Sequence, residues 1–184
     1  MKKIILTLFL SFALICLLCY LIYISTEDKH NIVLLLGDNI ANIPLSSNYE
    51  KINLTSKFSH INDLKIALEY NKPINNISIH ESLNNADILI LSIGMNDLYY
   101  VMDNNPKEIY SYLNNIINDY EAILNIINRY NLKKVYVLGY YNINNCKQDL
   151  FTYLNFKLAK LVTDYHYIYI NVDKLIDNNP KYLE

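Results

Sequence analysis

Apolar and polar positions along the chain form blocks that predict strands separated by helices. Nearly continuous apolar runs of about four to eight residues are typical of buried strands. Apolar residues that recur every three or four positions are typical of amphipathic helices. The predicted strands are 32–36, 51–54, 87–93, 134–138 and 167–172, and the predicted helices are 61–70, 107–130 and 149–165.

This alternation predicts a fold class. Strands separated by helices form parallel sheets with helices on both faces. We therefore expect an α/β domain over residues 31–184 with a flavodoxin-like, three-layer α/β/α arrangement around a parallel sheet of about five strands.

The amino-terminal region has a different pattern, with two lysines followed by an uncharged apolar run from Ile4 to Ile24. A helix needs ~20 apolar residues to cross a bilayer, whereas the apolar core of a cleaved signal peptide has only ~7–15. We expect residues 1–25 to be a membrane anchor or uncleaved signal, followed by a linker at 26–30. The lysines place the amino terminus in the cytoplasm and the domain of this single-pass protein outside.

Composition narrows the possible partners of the domain. The net charge is −2 and no basic stripe is present, which argues against a nucleic-acid partner. The three cysteines do not form a disulfide framework, and no spacing of His or Cys resembles a zinc site. We therefore expect neither a metal nor a cofactor.

The glycines point to one edge of the predicted sheet. The chain has three, and Gly37, Gly94 and Gly139 each follow a predicted strand. Glycine permits tight turns and a close approach of the backbone to a ligand. Ligands of open parallel sheets bind beyond the carboxyl ends of the strands, so we expect a shared site at this edge.

Two polar motifs lie at the same edge. The motif at 37–39 reads Gly-Asp-Asn, and the motif at 94–97 reads Gly-Met-Asn-Asp. In their order and strand context they resemble the first and third blocks of the SGNH/GDSL hydrolase family, which read Gly-Asp-Ser and Gly-x-Asn-Asp. The resemblance extends over most of residues 31–172 and implies an α/β enzyme that hydrolyses ester bonds.

The same resemblance implies roles for individual residues. Asn39 occupies the nucleophile position, and Gly94 and Asn96 occupy the position that binds the oxyanion. A carboxamide is not an activated nucleophile, so Asn39 can form hydrogen bonds but not an acyl-enzyme. The family's carboxyl-terminal Asp-x-x-His is also missing, because no histidine follows His166.

No other residue replaces these groups in the sequence. Ser92 is expected to be a buried hydroxyl, and neither His60 nor His80 has a partner at a recognisable spacing. Hydrolysis is therefore expected to be lost, which leaves a binding site for an acylated carbohydrate or a lipid. The residues expected to line this site are Asp38, Asn39, Gly94, Asn96 and Asp97.

Two alternatives remain at this point. In the first, the protein is an active esterase whose Asp-x-x-His lies beyond Glu184. In the second, it is a non-catalytic interaction domain at the cell surface, with tyrosines such as Tyr99 and Tyr100 forming the contact surface.

Overall fold

A computed structural model describes six stretches of the chain. They are residues 31–38, 45–55, 57–74, 76–104, 107–142 and 147–177. The predicted anchor at 4–24 and the predicted site residue Asn39 lie outside them. None of the helices in these stretches combines the length and the apolar character that crossing a membrane requires.

Five parallel strands form one sheet in the order β2-β1-β3-β4-β5. This order is the flavodoxin-like one, and the predicted α/β fold with a five-stranded parallel sheet is confirmed. The strands are β1 (Asn31–Gly37), β2 (Tyr49–Thr55), β3 (Ile88–Ser92), β4 (Lys134–Leu138) and β5 (Ile168–Ile170).

Six helices lie in the described stretches. They are α1 (Ile61–Glu69), α2 (Ile79–Asn85), α3 (Met95–Asn104), α4 (Ile109–Ile127), α5 (Gln148–Asp164) and α6 (Val172–Asp177). The three long apolar repeats became α1, α4 and α5. The predictions missed α2, α3 and α6. The short helices α2 and α6 have few apolar residues to show a helical period, whereas α3 has one in Met95, Leu98, Val101 and Met102 that was not recognised.

The connections place most helices on one face of the sheet. Parallel strands are joined by right-handed crossovers, so connections that run in the same direction across a sheet lie on the same face. The connections from β2 to β3, β3 to β4 and β4 to β5 all run in one direction. The buried side chains of α1 to α5 accordingly form a single core with Leu34 and Leu36 of β1 and Leu89 and Leu91 of β3.

The opposite face has a much smaller apolar cluster. Val33 and Leu35 of β1 form it, with Leu45, Ile88 and Ile90 packed against them. Among the described strands, only the connection from β1 to β2 runs toward this face. It is short for a crossover between parallel strands, which usually takes a dozen or more residues. The predicted third layer therefore stays a prediction.

Candidate functional site

The carboxyl ends of β1 and β3 meet at the centre of the sheet edge. The two strands are paired in parallel, with Gly37 opposite Ser92. The direction in which the chain adds strands to the sheet reverses at β1. The second strand, β2, lies on one side of β1, and the third strand, β3, lies on the other side. Ligands of doubly wound sheets bind in the crevice at such a switch point. We refer to the residues that follow β1 and β3 as the central edge.

Gly37 allows β1 to end against β3. Its φ is +119°, and a Cβ at this position would lie 1.7 Å from the carbonyl oxygen of Ser92. Directly after it, the Asp38 N–H donates to that carbonyl at 2.6 Å, and the Ser92 hydroxyl donates to Asp38 Oδ1 at 2.8 Å. Ser92 is only 3% exposed. It is thus the buried, hydrogen-bonded hydroxyl that its position predicted.

Two buried tyrosines hold the backbone that leads from β3 into α3. The Ile93 carbonyl accepts hydrogen bonds from Tyr120 at 2.8 Å and Tyr140 at 3.2 Å. Gly94 is needed here because a Cβ would lie 2.5 Å from the Tyr140 hydroxyl oxygen. Burial raises the pKa of both phenols, so they remain neutral hydrogen-bond donors at physiological pH.

Asn96 keeps part of its hydrogen-bonding capacity at the surface. It lies in the first turn of α3 and is exposed. Its Nδ2 donates to the carbonyl of Ser59 at 3.0 Å. A carboxamide nitrogen carries two hydrogens, so this bond orients the side chain and leaves one N–H for a ligand.

Asp97 connects the start of α3 to the start of α1. Its Oδ2 accepts from the Ile61 N–H at 3.0 Å, and its Oδ1 lies 3.2 Å from Nδ1 of His60. Burial raises the pKa of the Asp97 carboxyl, against the opposing effects of Ile61 and His60. No partner for His60 was predicted from the sequence. The structure supplies one, because α1 and α3 begin at the same edge of the sheet.

The other candidate residues do not join this edge. His166 is exposed and precedes β5, so it lies at the amino-terminal end of the sheet. His80 places its Nε2 2.6 Å from the carbonyl oxygen of Leu68. Asn39 lies outside the described residues. Of the predicted set, the structure therefore brings Asp38, Gly94, Asn96 and Asp97 to the end of the sheet where β1 and β3 terminate.

The residues that follow β4 and β5 form a second half of the edge, which we call the lateral edge. Of its residues, the sequence analysis singled out Gly139, which follows β4, but none of the polar side chains. Asn155 of α5 accepts from the Tyr140 N–H at 2.8 Å and from the Tyr169 hydroxyl at 2.9 Å, and it donates to the Tyr140 carbonyl at 2.8 Å. Asp173 accepts from the Asn142 N–H at 3.0 Å. These bonds connect the β4 and β5 ends to α5.

Metal binding has no candidate in the part of the chain that the structure describes. No group of three or more His, Cys, Asp or Glu side chains there is placed to hold an ion. The described side chains at the central edge that can form hydrogen bonds are the Asn96 amide, the carboxylates of Asp38 and Asp97, and the imidazole of His60.

Several solved structures are similar to this chain. A lipase from a goat rumen metagenome has a TM-score of 0.65 and 16% identity, covering 82% of this chain and 85% of its own. An acetyl xylan esterase has a TM-score of 0.61 and 18% identity, covering 82% and 84%. An acetylxylan esterase from Geobacillus stearothermophilus has a TM-score of 0.61 and 12% identity, covering 84% and 81%.

The structures of the Geobacillus esterase include catalytic mutants at a serine, an aspartate and a histidine of that protein. No protein-family model and no curated protein matches the sequence. At these identities the likeness concerns the fold, and on that ground the chain has the α/β fold of these lipase and esterase structures.

Proposed function

We propose that this protein is a membrane-anchored, extracytoplasmic relative of the SGNH/GDSL hydrolases that binds an acylated carbohydrate or a lipid without hydrolysing it. The observation that carries the proposal is at the switch point. Asp38 and the Gly94-x-Asn96-Asp97 motif come to the carboxyl ends of two adjacent strands, β1 and β3, whereas the sequence has Asn39 at the position of the nucleophile.

The absence of acyl-enzyme chemistry follows from the residue types. A serine hydrolase needs a hydroxyl nucleophile and a base that accepts its proton. Asn39 provides no hydroxyl, and the Ser92 hydroxyl is buried and donates to Asp38. Losing the nucleophile of such an enzyme lowers turnover by about 10⁶-fold. His60 has an orienting carboxylate in Asp97, but an imidazole alone does not form the acyl-enzyme.

Binding is supported by the polar groups that remain at the central edge. Asn96 is exposed and oriented by its bond to Ser59, with one N–H left for a carbonyl or hydroxyl oxygen. An ester carbonyl is such an acceptor. Membrane anchoring is supported by the uncharged run from Ile4 to Ile24.

The proposal is tested on the chain of residues 1–184 expressed in a bacterial host. Anchoring predicts that the protein stays in the membrane fraction after an alkaline carbonate wash. After extraction with detergent, we expect no hydrolysis of p-nitrophenyl acetate above a heat-denatured sample. Asn39→Ser is expected to be equally inactive, since a hydroxyl is not an activated nucleophile without a base that accepts its proton.

Two results would contradict the proposal. Recovery of the protein in the carbonate wash would contradict the anchor. Turnover well above the heat-denatured sample that disappears in Asn39→Ala or His60→Ala would show that hydrolysis has been retained. Ser111→Ala, an exposed position on α4, serves as the control for non-specific effects of substitution.

A further inference from the structure

Exposed apolar side chains gather at the end of the sheet opposite the central edge. Seven large apolar or aromatic side chains are exposed in the stretches that the structure describes, and four of them lie where the strands begin. We call these four the basal surface; with their exposed fractions they are Tyr49 (39%), Tyr70 (72%), Ile77 (44%) and Ile168 (43%). Such a concentration at one end of a domain indicates an interaction surface.

The position of the basal surface follows from the elements that carry it. Its first and last residues open β2 and β5, the two outer strands of the sheet. Tyr70 directly follows α1, which leads from the carboxyl end of β2 back toward the start of β3. Ile77 stays near it, because the Ser78 hydroxyl donates to the side chain of Asn71 at 2.9 Å. The basal surface therefore extends from one outer strand to the other.

Three exposed cations lie at the same end of the sheet, between α4 and β4. Arg129 follows α4, Lys133 precedes β4 and Lys134 opens it. Lys133 is paired with Asp87, with 2.9 Å between Nζ and Oδ1. Among the described residues, no carboxylate lies within ion-pair distance of Arg129 or Lys134. Both can therefore donate to a phosphate group without giving up an ion pair within the domain.

The carboxylates at this end are distributed differently from the cations. Near α4, β4 and β5, Asp87 is held by Lys133, and Asp164 is held by Lys160 with 3.1 Å between Oδ2 and Nζ. The other exposed carboxylates at this end belong to β2, α1 and α2 and are Glu50, Glu69 and Glu81. The basal end of the sheet is thus basic on the side of β4 and mixed in charge on the side of β2.

Tyrosine and isoleucine side chains beside lysine and arginine suit a surface that rests on a phospholipid bilayer. Tyrosine is enriched at membrane interfaces, because its ring is apolar while its hydroxyl remains among the headgroups. Lysine and arginine at the interface are attracted to the phosphates of the headgroups, most strongly to those of anionic lipids. The composition of the basal end therefore matches phospholipid headgroups.

The chain also enters the sheet at this end, because Asn31 opens β1. Six residues separate Asn31 from the apolar run that ends at Ile24. A segment of that length spans at most about 25 Å even when it is fully extended. An apolar run that crosses the bilayer, as proposed above, would therefore keep the start of β1 within reach of the headgroups.

We infer that the basal surface docks on the phospholipid headgroups of the membrane, with Tyr70 and Ile168 in the interface and Arg129 and Lys134 on the phosphates. The inference rests on the membrane anchor of the proposed function, which supplies the bilayer. The central edge lies at the other end of β1, a strand of seven residues, which corresponds to roughly 20 Å. Docking at the basal surface therefore leaves the central edge open on the side away from the bilayer.

Tryptophan fluorescence of the chain of residues 1–184 in phospholipid vesicles tests the inference. The sequence has no tryptophan, so Tyr70→Trp introduces a single probe on the basal surface. The vesicles contain phosphatidylcholine and phosphatidylglycerol, with or without bromine on the acyl chains close to the headgroups. We expect brominated lipid to lower the emission of Tyr70→Trp by about two-fold or more, because the indole lies in the interface. Ile168→Trp is a second probe at an outer strand, and its emission should fall similarly.

The matched control is Tyr110→Trp, which replaces another exposed tyrosine in the first turn of α4. The 19 residues of α4 place this turn far from the basal end, where α4 terminates before β4. Bromine should leave its emission unchanged. Arg129→Glu together with Lys134→Glu should restore most of the emission of Tyr70→Trp in brominated vesicles, because carboxylates are repelled by anionic headgroups.

Three results would overturn the inference: no quenching of Tyr70→Trp, equal quenching of Tyr110→Trp, or quenching that the two charge reversals leave unchanged. The quenching is measured before the same vesicles are washed with alkaline carbonate. Retention of unquenched protein after the wash would support the anchor and overturn the docking. Recovery of quenched protein in the wash would contradict the anchor and support the docking, so the two failures are distinguished.

Discussion

The two halves of the sheet edge use polar side chains in opposite ways. At the lateral edge, the buried Asn155 forms hydrogen bonds through both polar atoms of its amide. Its oxygen accepts from Tyr140 and Tyr169, and its nitrogen donates to Tyr140. At the central edge, Asn96 is exposed and His60 is 48% exposed, and each is held by one bond or ion pair on one side. An asparagine is therefore bonded through both its oxygen and its nitrogen at the lateral edge, whereas Asn96 at the central edge makes one bond and is exposed.

The difference separates groups that hold the fold from groups that are available for binding. A buried amide without partners is costly, so the polar atoms of Asn155 must be satisfied inside the protein. An exposed amide that is oriented by one bond keeps donors for a ligand at little cost to stability. Substitutions at the lateral edge should therefore affect stability, and those of exposed central groups should affect binding.

The largest effect is expected from Gly37→Ala, which would break the close approach of β1 and β3. Its φ of +119° is strained for alanine, and the new Cβ would lie 1.7 Å from a backbone oxygen of Ser92. We expect a loss of about 3 kcal/mol or more in the free energy of unfolding, measured by urea denaturation with far-UV circular dichroism.

Gly139→Ala is the matched variant at the lateral edge. Its Cβ would meet the hydroxyl oxygen of Tyr169 at 2.2 Å, which is the end of a side chain and can move. A loss of about 1–2 kcal/mol is expected. Equal losses of stability in the two variants would show that a clash with the backbone at the central edge costs no more than a clash with a side chain at the lateral edge.

Asn155→Leu should cause the next largest loss of stability, because it removes three hydrogen bonds in the interior. The Tyr140 N–H and carbonyl and the Tyr169 hydroxyl would lose their partner, with an expected cost of about 3 kcal/mol in urea denaturation. Ser92→Ala, which removes one hydroxyl bond at the central edge, should cost about 1 kcal/mol. A smaller loss of stability for Asn155→Leu than for Ser92→Ala would contradict the conclusion that Asn155 stabilises the lateral edge.

Tyr120→Phe should have a smaller effect at neutral pH. The Ile93 N–H, 3.2 Å from the Tyr120 hydroxyl oxygen, would lose its acceptor, at a cost of about 2 kcal/mol. Burial raises the pKa of Tyr120 above its ordinary value of 10.0. Because the folded pKa is the higher one, the stability from the neutral phenol is intact below pH 10 and lost as the pH rises above it.

The same variant should accordingly lose less additional stability than the parent protein between about pH 9 and pH 11. Some alkaline loss should persist, since burial also raises the pKa of Tyr140 and raises that of Tyr169 to about 12. The measurement is urea denaturation at the two pH values. Tyr110→Phe, at an exposed position on α4, is the control, and an identical alkaline slope in parent and Tyr120→Phe would refute the argument.

Periodicity predicted the elements that bury the most apolar surface. The runs at 32–36 and 134–138 became β1 and β4, and the long repeat at 107–130 became α4. Periodicity did not predict some of the shorter helices, because their burial depends on contacts with neighbouring elements. The helix at 79–85 buries Ile79, Ser82 and Leu83, which is too few positions to define a period in sequence.

Site chemistry was predictable only where residues follow a strand directly. Asp38 and Asn96 could be placed at one edge of the sheet from parallel topology alone. The pair of His60 and Asp97 could not, because their distance depends on where two helices begin after different strands.

The sequence by itself determined the parallel α/β class, because the spacing of apolar residues and the residues that end each strand are local properties of the chain. It also determined the residue types at the first and third motifs, including a carboxamide at position 39. Only the tertiary structure decided which polar groups are hydrogen-bonded in the interior and which remain at the surface. That outcome depends on burial and hydrogen-bond partners from distant segments, as with Asn155 beneath Tyr140 and Asn96 beside Ser59.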